Sequence, residues 1–156
     1  MKVLFVCTGN ICRSPTAEGV LRHLASRQRL EVHVESCGTH DYHVGEPPDE
    51  RSQAHASRRG YDLGAQRARQ LADRDFAAFD LILAMDRGHL RALRSQAPDD
   101  AAHRVRLFLD FAPELGIKDV PDPYYGGPDG FEDVLDMIET ASAALLAELR
   151  KTHFPE

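Results

Sequence analysis

Short apolar runs along this chain alternate with stretches in which apolar residues recur at every third or fourth position. Residues 2–7 (KVLFVC) form a near-continuous apolar run that stops at Thr8-Gly9-Asn10, the pattern of a strand covered on both faces. Ser14-Pro15 then reads as a helix start, with Ser14 as N-cap and Pro15 in the first helical position. Val20, Leu21, Leu24 and Ala25 give that helix its apolar stripe, and Arg22, Arg27 and Arg29 its solvated face. Residues 31–37 alternate and predict a second strand. A loop through Gly38, Gly45 and Pro47-Pro48 leads to Asp49, which caps a helix ending at Gly60. Residues 80–85 (DLILAM) predict a third strand, followed by a helix that Asp86 caps and that runs toward Pro98. Residues 104–109 (RVRLFL) predict a fourth strand and residues 110–128 a loop rich in proline and glycine at its end. From Asp129 to about Lys151, Phe131, Val134, Leu135, Ile138, Leu145, Leu146 and Leu149 fall at helical spacing.

Strands alternating with helices predict βαβ units and a parallel sheet. No repeat or linker interrupts them. The expected fold is α/β, a single domain over residues 1–156 built as a three-layer sandwich, with a four-stranded parallel sheet flanked by helices.

Composition supports a globular chain: 156 residues, 42% hydrophobic and 28% charged. A net charge of −6 argues against coating nucleic acid or an anionic membrane, both of which need a broad basic face. It leaves room for a small local anion site. The acidity is also uneven: residues 110–139 hold nine acids against Lys118 alone. Apolar runs of five residues (3–7 and 143–147) are far short of the ~20 that a spanning helix needs. The first of them also lacks the length of a secretory signal. Three cysteines, an odd number, argue against a disulfide framework and for a reducing, cytoplasmic setting.

The chemistry is concentrated after the first strand, in Cys7-Thr8-Gly9-Asn10-Ile11-Cys12-Arg13-Ser14. Cys7 ends a strand, where open α/β sheets place their ligands. The backbone N–H groups of residues 8 to 14 can curl around a tetrahedral oxyanion, with Gly9 and Asn10 as types that tolerate unusual dihedrals. The helix end adds its positive dipole, and Arg13 a fork that grips two phosphate oxygens. That field favours thiolate over thiol at Cys7, and Ser14 is near enough to donate a hydrogen bond to the sulfur as it leaves. A thiolate inside an anion cradle is a nucleophile aimed at phosphorus. A Cys-x4-Cys metal pair finds no second pair at zinc spacing, and a nucleotide loop would need Gly-Lys-Ser or Gly-Lys-Thr. No metal or other cofactor is expected.

CTGNICRSP near the N-terminus resembles the active-site loop of the low-molecular-weight protein tyrosine phosphatases. That family also carries an Asp-Pro-Tyr-Tyr stretch late in the chain, here Asp122-Pro123-Tyr124-Tyr125. ESCGTHDYHVGEPPDERS and DLILAMD are similar to the blocks between, so the likeness spans nearly the whole chain. The resemblance implies hydrolysis of phosphotyrosine through a phosphocysteine on Cys7, with Arg13 binding phosphate and Asp122 as general acid and then base. A carboxyl on a mobile loop suits that role, and its acidic surroundings disfavour its ionisation. Tyr124 and Tyr125 resemble the family's aromatic wall, and Tyr42 the wall opposite. Asn10 and Ser36 match positions that brace the phosphate loop, Asp86 matches the family's Met-Asp pair, and Cys12 resembles a second cysteine that traps an oxidised nucleophile. Two positions depart from the pattern. Gln66 stands where many relatives have histidine, and Cys37 where alanine is usual.

The implied substrate is a phosphotyrosine-containing protein, with a cognate tyrosine kinase as counterpart and a monomer or weak dimer as the working form. Protein arginine phosphatase, arsenate reductase and a non-catalytic phosphate-binding module remain as alternatives. Ile11 stands where the arginine phosphatases carry threonine. Residues 38–156 contain no cysteine for an arsenate relay, and a pure binder needs neither Cys7 nor Asp122.

Overall fold

The first strand is apolar at nearly every position because both of its faces are covered. In the computed structural model, which describes residues 1–123 and 127–154, β1 spans Lys2–Cys7. Val3, Phe5 and Cys7 enter one buried cluster, and Leu4 and Val6 enter another on the opposite face. Around it lie β2 (His33–Gly38), β3 (Leu81–Ala84) and β4 (Val105–Leu107) in the order β2-β1-β3-β4, every neighbouring pair parallel. Parallel neighbours require crossovers, and helices supply them. The helices are α1 (Arg13–Arg27), α2 (Glu50–Arg58), the short α3 (Asp75–Ala78), α4 (Arg87–Gln96) and α5 (Gly127–Thr152). α1, α2 and α5 cover the Phe5 side of the sheet, and α3 and α4 the Leu4 side. The result is the expected four-stranded parallel α/β sandwich. No helix among the described residues is long and apolar enough to cross a membrane.

Two of the three expected caps form. Asp49 accepts from the N–H groups of Arg51 and Ser52, and Asp86 from that of His89. The third does not: α1 opens at Arg13, Cys12 occupies the N-cap without a side-chain bond, and Ser14 lies inside the first turn. Its hydroxyl is committed to Cys7 instead.

The fourth strand is shorter than the predicted 104–109, because Phe108–Phe111 turn into a 3-10 helix. A strand would send Phe108 and Leu109 to opposite faces. The turn puts both into the Phe5 cluster, with the Phe108 ring 4.9 Å from that of Phe5 and edge-on to it. Helix α3, only four residues long, falls below the length that periodicity can reveal.

This topology has a switch point. From β1 the chain crosses to β2 on one side, and β3 later adds on the other, so the carboxyl ends of β1 and β3 flank a crevice. Cys7 ends β1, and Asp86 lies two residues beyond β3.

Candidate active site

Beyond Cys7 the backbone reverses around Asn10, whose φ of 59° is left-handed. Asparagine tolerates that conformation because its side chain bonds locally. Here Asn10 Nδ2 donates to Ser14 Oγ at 2.8 Å and Ser36 Oγ at 2.9 Å, while Oδ1 accepts from the N–H of Arg69 at 3.0 Å. Ser36 in turn donates to Glu18 Oε1 at 2.7 Å, and Glu18 pairs with Arg22. Gly9 does not take the unusual dihedral expected of it; its need is for space. A Cβ there would lie 3.0 Å from Cδ2 of His43.

The turn brings two groups onto the sulfur of Cys7. The N–H of Asn10 donates to Sγ at 3.3 Å, and Ser14 Oγ lies 2.8 Å away. Ser14 Oγ also accepts from Asn10 and has a longer contact, 3.4 Å, to the carbonyl of Cys37. Cys37 is a fully buried core residue, and burial pushes its thiol well above the usual range.

Arg13 is 7% exposed, so its charge is held by fixed partners rather than by water. Nη1 donates to Asp86 Oδ2 at 2.9 Å and to the carbonyl of Val120 at 3.0 Å. Val120 also donates its N–H to the Met85 carbonyl at 2.8 Å, which fixes the segment two residues before Asp122 beside the end of β3. Asp86 therefore does two jobs, one per oxygen: Oδ1 caps α4 and Oδ2 holds Arg13. Burial works against its charge, yet the N–H and ring of His89 and the Arg13 guanidinium together hold its carboxyl below the usual range. His89 itself is buried, which pushes its imidazole down to about 4 despite the pull of Asp86. Its Nε2 lies 2.8 Å from Thr8 Oγ1.

These groups open onto a cleft of about 410 Å³. Cys7, Thr8, Gly9, Ile11, Cys12 and Arg13 form its floor, with Tyr42, His43 and Asp122 around them. Tyr42 is 67% exposed and stacks on His40, the rings 4.8 Å apart. Burial pushes the Cys12 thiol up to about 12, with Asp49 adding to the rise and Ser52 opposing it. Tyr124 and Tyr125 lie outside the described residues.

Sequence reasoning missed His43, His89, Arg69 and the Val120 carbonyl, because each reaches the loop from a distant segment. Asp86-x-x-His89, a cap followed by a buried histidine on the same helix end, was the one readable signal. Gln66 donates to the carbonyl of Pro15 at 2.9 Å, so it steadies the first turn of α1. The acidic segment is also no bare negative field around Asp122. Asp119 pairs with Arg87, Asp110 with Lys118, and Glu132, Asp136 and Glu139 all converge on Arg59 of the loop after α2.

Known proteins share both the sequence and the fold. The family described as low molecular weight phosphotyrosine protein phosphatase matches residues 2–154. A low molecular weight protein-tyrosine-phosphatase of Streptomyces coelicolor is 48% identical over 155 residues, covering 96% of this chain and 94% of that one. A putative low molecular weight protein-tyrosine-phosphatase of Synechocystis is 46% identical over 97% of this chain and 98% of its own. Among solved structures, a protein tyrosine phosphatase of Entamoeba histolytica with Hepes in its active site superposes with a TM-score of 0.93 at 37% identity, covering 97% of each chain. YfkJ of Bacillus subtilis does so at 0.92 and 40%, covering 98% of this chain and 96% of that one. Agreement of this extent, in sequence and in fold together, makes the chain a member of the low molecular weight phosphotyrosine protein phosphatase family.

Proposed function

We propose that the protein hydrolyses protein phosphotyrosine and small aryl phosphates through a phosphocysteine on Cys7, as a single phosphatase domain over residues 1–156. The observation that carries this reading is the sulfur of Cys7. It ends β1 under the N–H of Asn10 and the hydroxyl of Ser14, in a cleft that Arg13 and Asp122 also line. Cys7 Sγ attacks phosphorus, and the bond to the tyrosyl oxygen breaks as Asp122 gives that oxygen its proton. Loop N–H groups and the Arg13 guanidinium hold the three equatorial oxygens. Nη1 of Arg13 is anchored on Asp86 and Val120, which fixes the plane of the fork. Water then attacks the phosphocysteine, Asp122 takes its proton, and the S–P bond breaks with the Ser14 hydroxyl donating to the departing sulfur.

Ile11 and Tyr42 offer an aromatic substrate apolar surface, and the family likeness assigns Tyr124 and Tyr125 the same task. Ile11 also gives a phosphoguanidinium group no polar partner, which favours phosphotyrosine over phosphoarginine. Every step uses a side chain already named, so the proposed reaction draws on no metal. The working form proposed is a cytoplasmic monomer or weak dimer that opposes a tyrosine kinase and binds neither nucleic acid nor membrane. The odd count of three cysteines supports the reducing compartment.

Steady-state hydrolysis of phosphotyrosine, phosphoserine and phosphoarginine tests the reading, with Cys7→Ser and Asp122→Asn alongside. Cys7→Ser should lose at least about 10³-fold in kcat. Asp122→Asn should lose about 10²-fold on phosphotyrosine and less on p-nitrophenyl phosphate, whose leaving group needs no proton. Chelator should change nothing. Full turnover by Cys7→Ser would refute the mechanism, and a preference for phosphoarginine would overturn the substrate while sparing the chemistry.

A further inference from the structure

Thr8, the residue after the nucleophile, is held by a side chain from across the switch point. His89, in the first turn of α4, is 5% exposed. Its two ring nitrogens face two different parts of the site. Nε2 lies 2.8 Å from Thr8 Oγ1 and Nδ1 lies 3.1 Å from Asp86 Oδ1. The proton positions follow from charge. Burial keeps the ring neutral near pH 7, so it carries one proton. The Asp86 carboxylate favours that proton on Nδ1, although the contact there is not a full hydrogen bond. Nε2 is then a lone pair, and the Thr8 hydroxyl donates to it. Thr8 is pinned on its main chain as well, its carbonyl accepting from the N–H of His40 at 3.1 Å.

We infer that His89 is a positioning residue of the phosphatase reaction: it ties Thr8, at the start of the phosphate loop, to Asp86, and through Asp86 to the Arg13 guanidinium. The inference rests on the proposed phosphatase reading of the cleft. The connected path runs from Arg13 Nη1 to Asp86 Oδ2, from Asp86 Oδ1 to the His89 N–H and ring, and from Nε2 to Thr8. Its consequence is a fixed register between Cys7, one bond from Thr8, and the fork of Arg13. A bound phosphate tolerates small errors in that register, because its oxygens can turn to meet their donors. Five-coordinate phosphorus does not, since attacking and leaving atoms must lie in line. Removing the ring nitrogens therefore weakens transition-state binding more than ground-state binding.

The test compares His89→Leu, which keeps the bulk and removes both nitrogens, with His89→Gln, whose amide oxygen reaches the place of Nε2. Turnover of p-nitrophenyl phosphate is measured, together with the affinities for orthovanadate, a transition-state mimic, and inorganic phosphate, both by calorimetry. His89→Leu should lower kcat about tenfold with KM within about twofold of the parent, the scale expected for a small misplacement of reacting groups. Vanadate should weaken about tenfold, phosphate less than about threefold, and His89→Gln should restore kcat to within about threefold of the parent. Thr8→Val should add little when combined with His89→Leu, as two ends of one interaction must.

Equal losses of vanadate and phosphate affinity would overturn the inference. So would unchanged kcat, or additive effects of Thr8→Val and His89→Leu. If His89→Leu fails to fold, then His89→Gln and Thr8→Val still decide between the outcomes: a normal kcat and normal vanadate affinity in Thr8→Val sink the idea. A parent enzyme that binds vanadate but does not hydrolyse phosphotyrosine would refute the substrate reading alone, since the calorimetric comparison still reports on His89.

Discussion

Asn10 combines a left-handed φ of 59° with three side-chain hydrogen bonds, and the two properties can be separated by mutation. Asn10→Ala should destabilise the fold by roughly 2–4 kcal/mol, from backbone strain plus lost bonds. Asn10→Gly, which relieves the strain alone, should recover about 1–2 kcal/mol of that in urea unfolding. Equal losses for the two would remove the conformational part of the argument. His89 gives a pH dependence. Its folded value of about 4 lies below the ordinary histidine value of about 6.5, so the unfolded chain takes up the proton first as pH falls. Stability is thus complete above about pH 6.5 and declines as pH drops toward 4, by on the order of 3 kcal/mol. Asp86, held below its usual range, adds a loss in the same direction at still lower pH. Urea unfolding at pH 7, 6 and 5 should show the slope in the parent, and His89→Gln should flatten it. These roles were unevenly legible. Cys7, Asn10, Arg13 and Ser14 lie within one short stretch, so their spacing alone constrained their geometry. His89 lies 81 residues from Thr8, and no local pattern could pair them.

At the scale of elements, the loop after β1 is wedged against the end of β2. A Cβ on Gly38 would lie 2.6 Å from the carbonyl oxygen of Thr8, a backbone atom that cannot turn aside. Gly38→Ala should therefore destabilise by roughly 1–3 kcal/mol and also lower kcat, because relief of the clash moves the loop. A stable, fully active variant would show that the loop gives way freely. On the other side of the molecule, Arg59, just past α2, gathers Glu132, Asp136 and Glu139 from three successive positions on one face of α5. Those carboxylates are substantially exposed, so Arg59→Ala should cost only about 1 kcal/mol, and less at high salt. The caps of α2 and α4 were legible because capping is local. The short fourth strand was not, since the turn at Phe108 exists to bring two neighbouring side chains to the same side of the sheet.

For the whole molecule, α5 decides whether the sheet has a second cover. Phe131, Val134, Leu135, Ile138, Leu145, Leu146 and Leu149 are all buried, against β1 and α1 among others. At about 1.5–3 kcal/mol for each side chain, the loss of these seven matches or outweighs the ~5–15 kcal/mol by which domains are stable. A chain ending at residue 126 should show no cooperative unfolding transition by circular dichroism; a sharp one would mean that the remaining layers fold alone. The net charge of −6 also reads differently at this scale. Much of the acidity of residues 110–139 is spent on Arg59, Arg87 and Lys118, and the proposed anion site would draw on loop amides, a helix end and Arg13 rather than on net charge. By itself the sequence determined what depends on neighbours along the chain: the period of each main element, two helix caps, and a cysteine and a guanidinium at fixed spacing on one turn. Only the tertiary structure decided what depends on packing across the switch point. Arg13 turns toward Asp86 and Val120, Thr8 meets a buried histidine, and the acids find their bases, because these contacts join residues that only the folded sheet brings within reach.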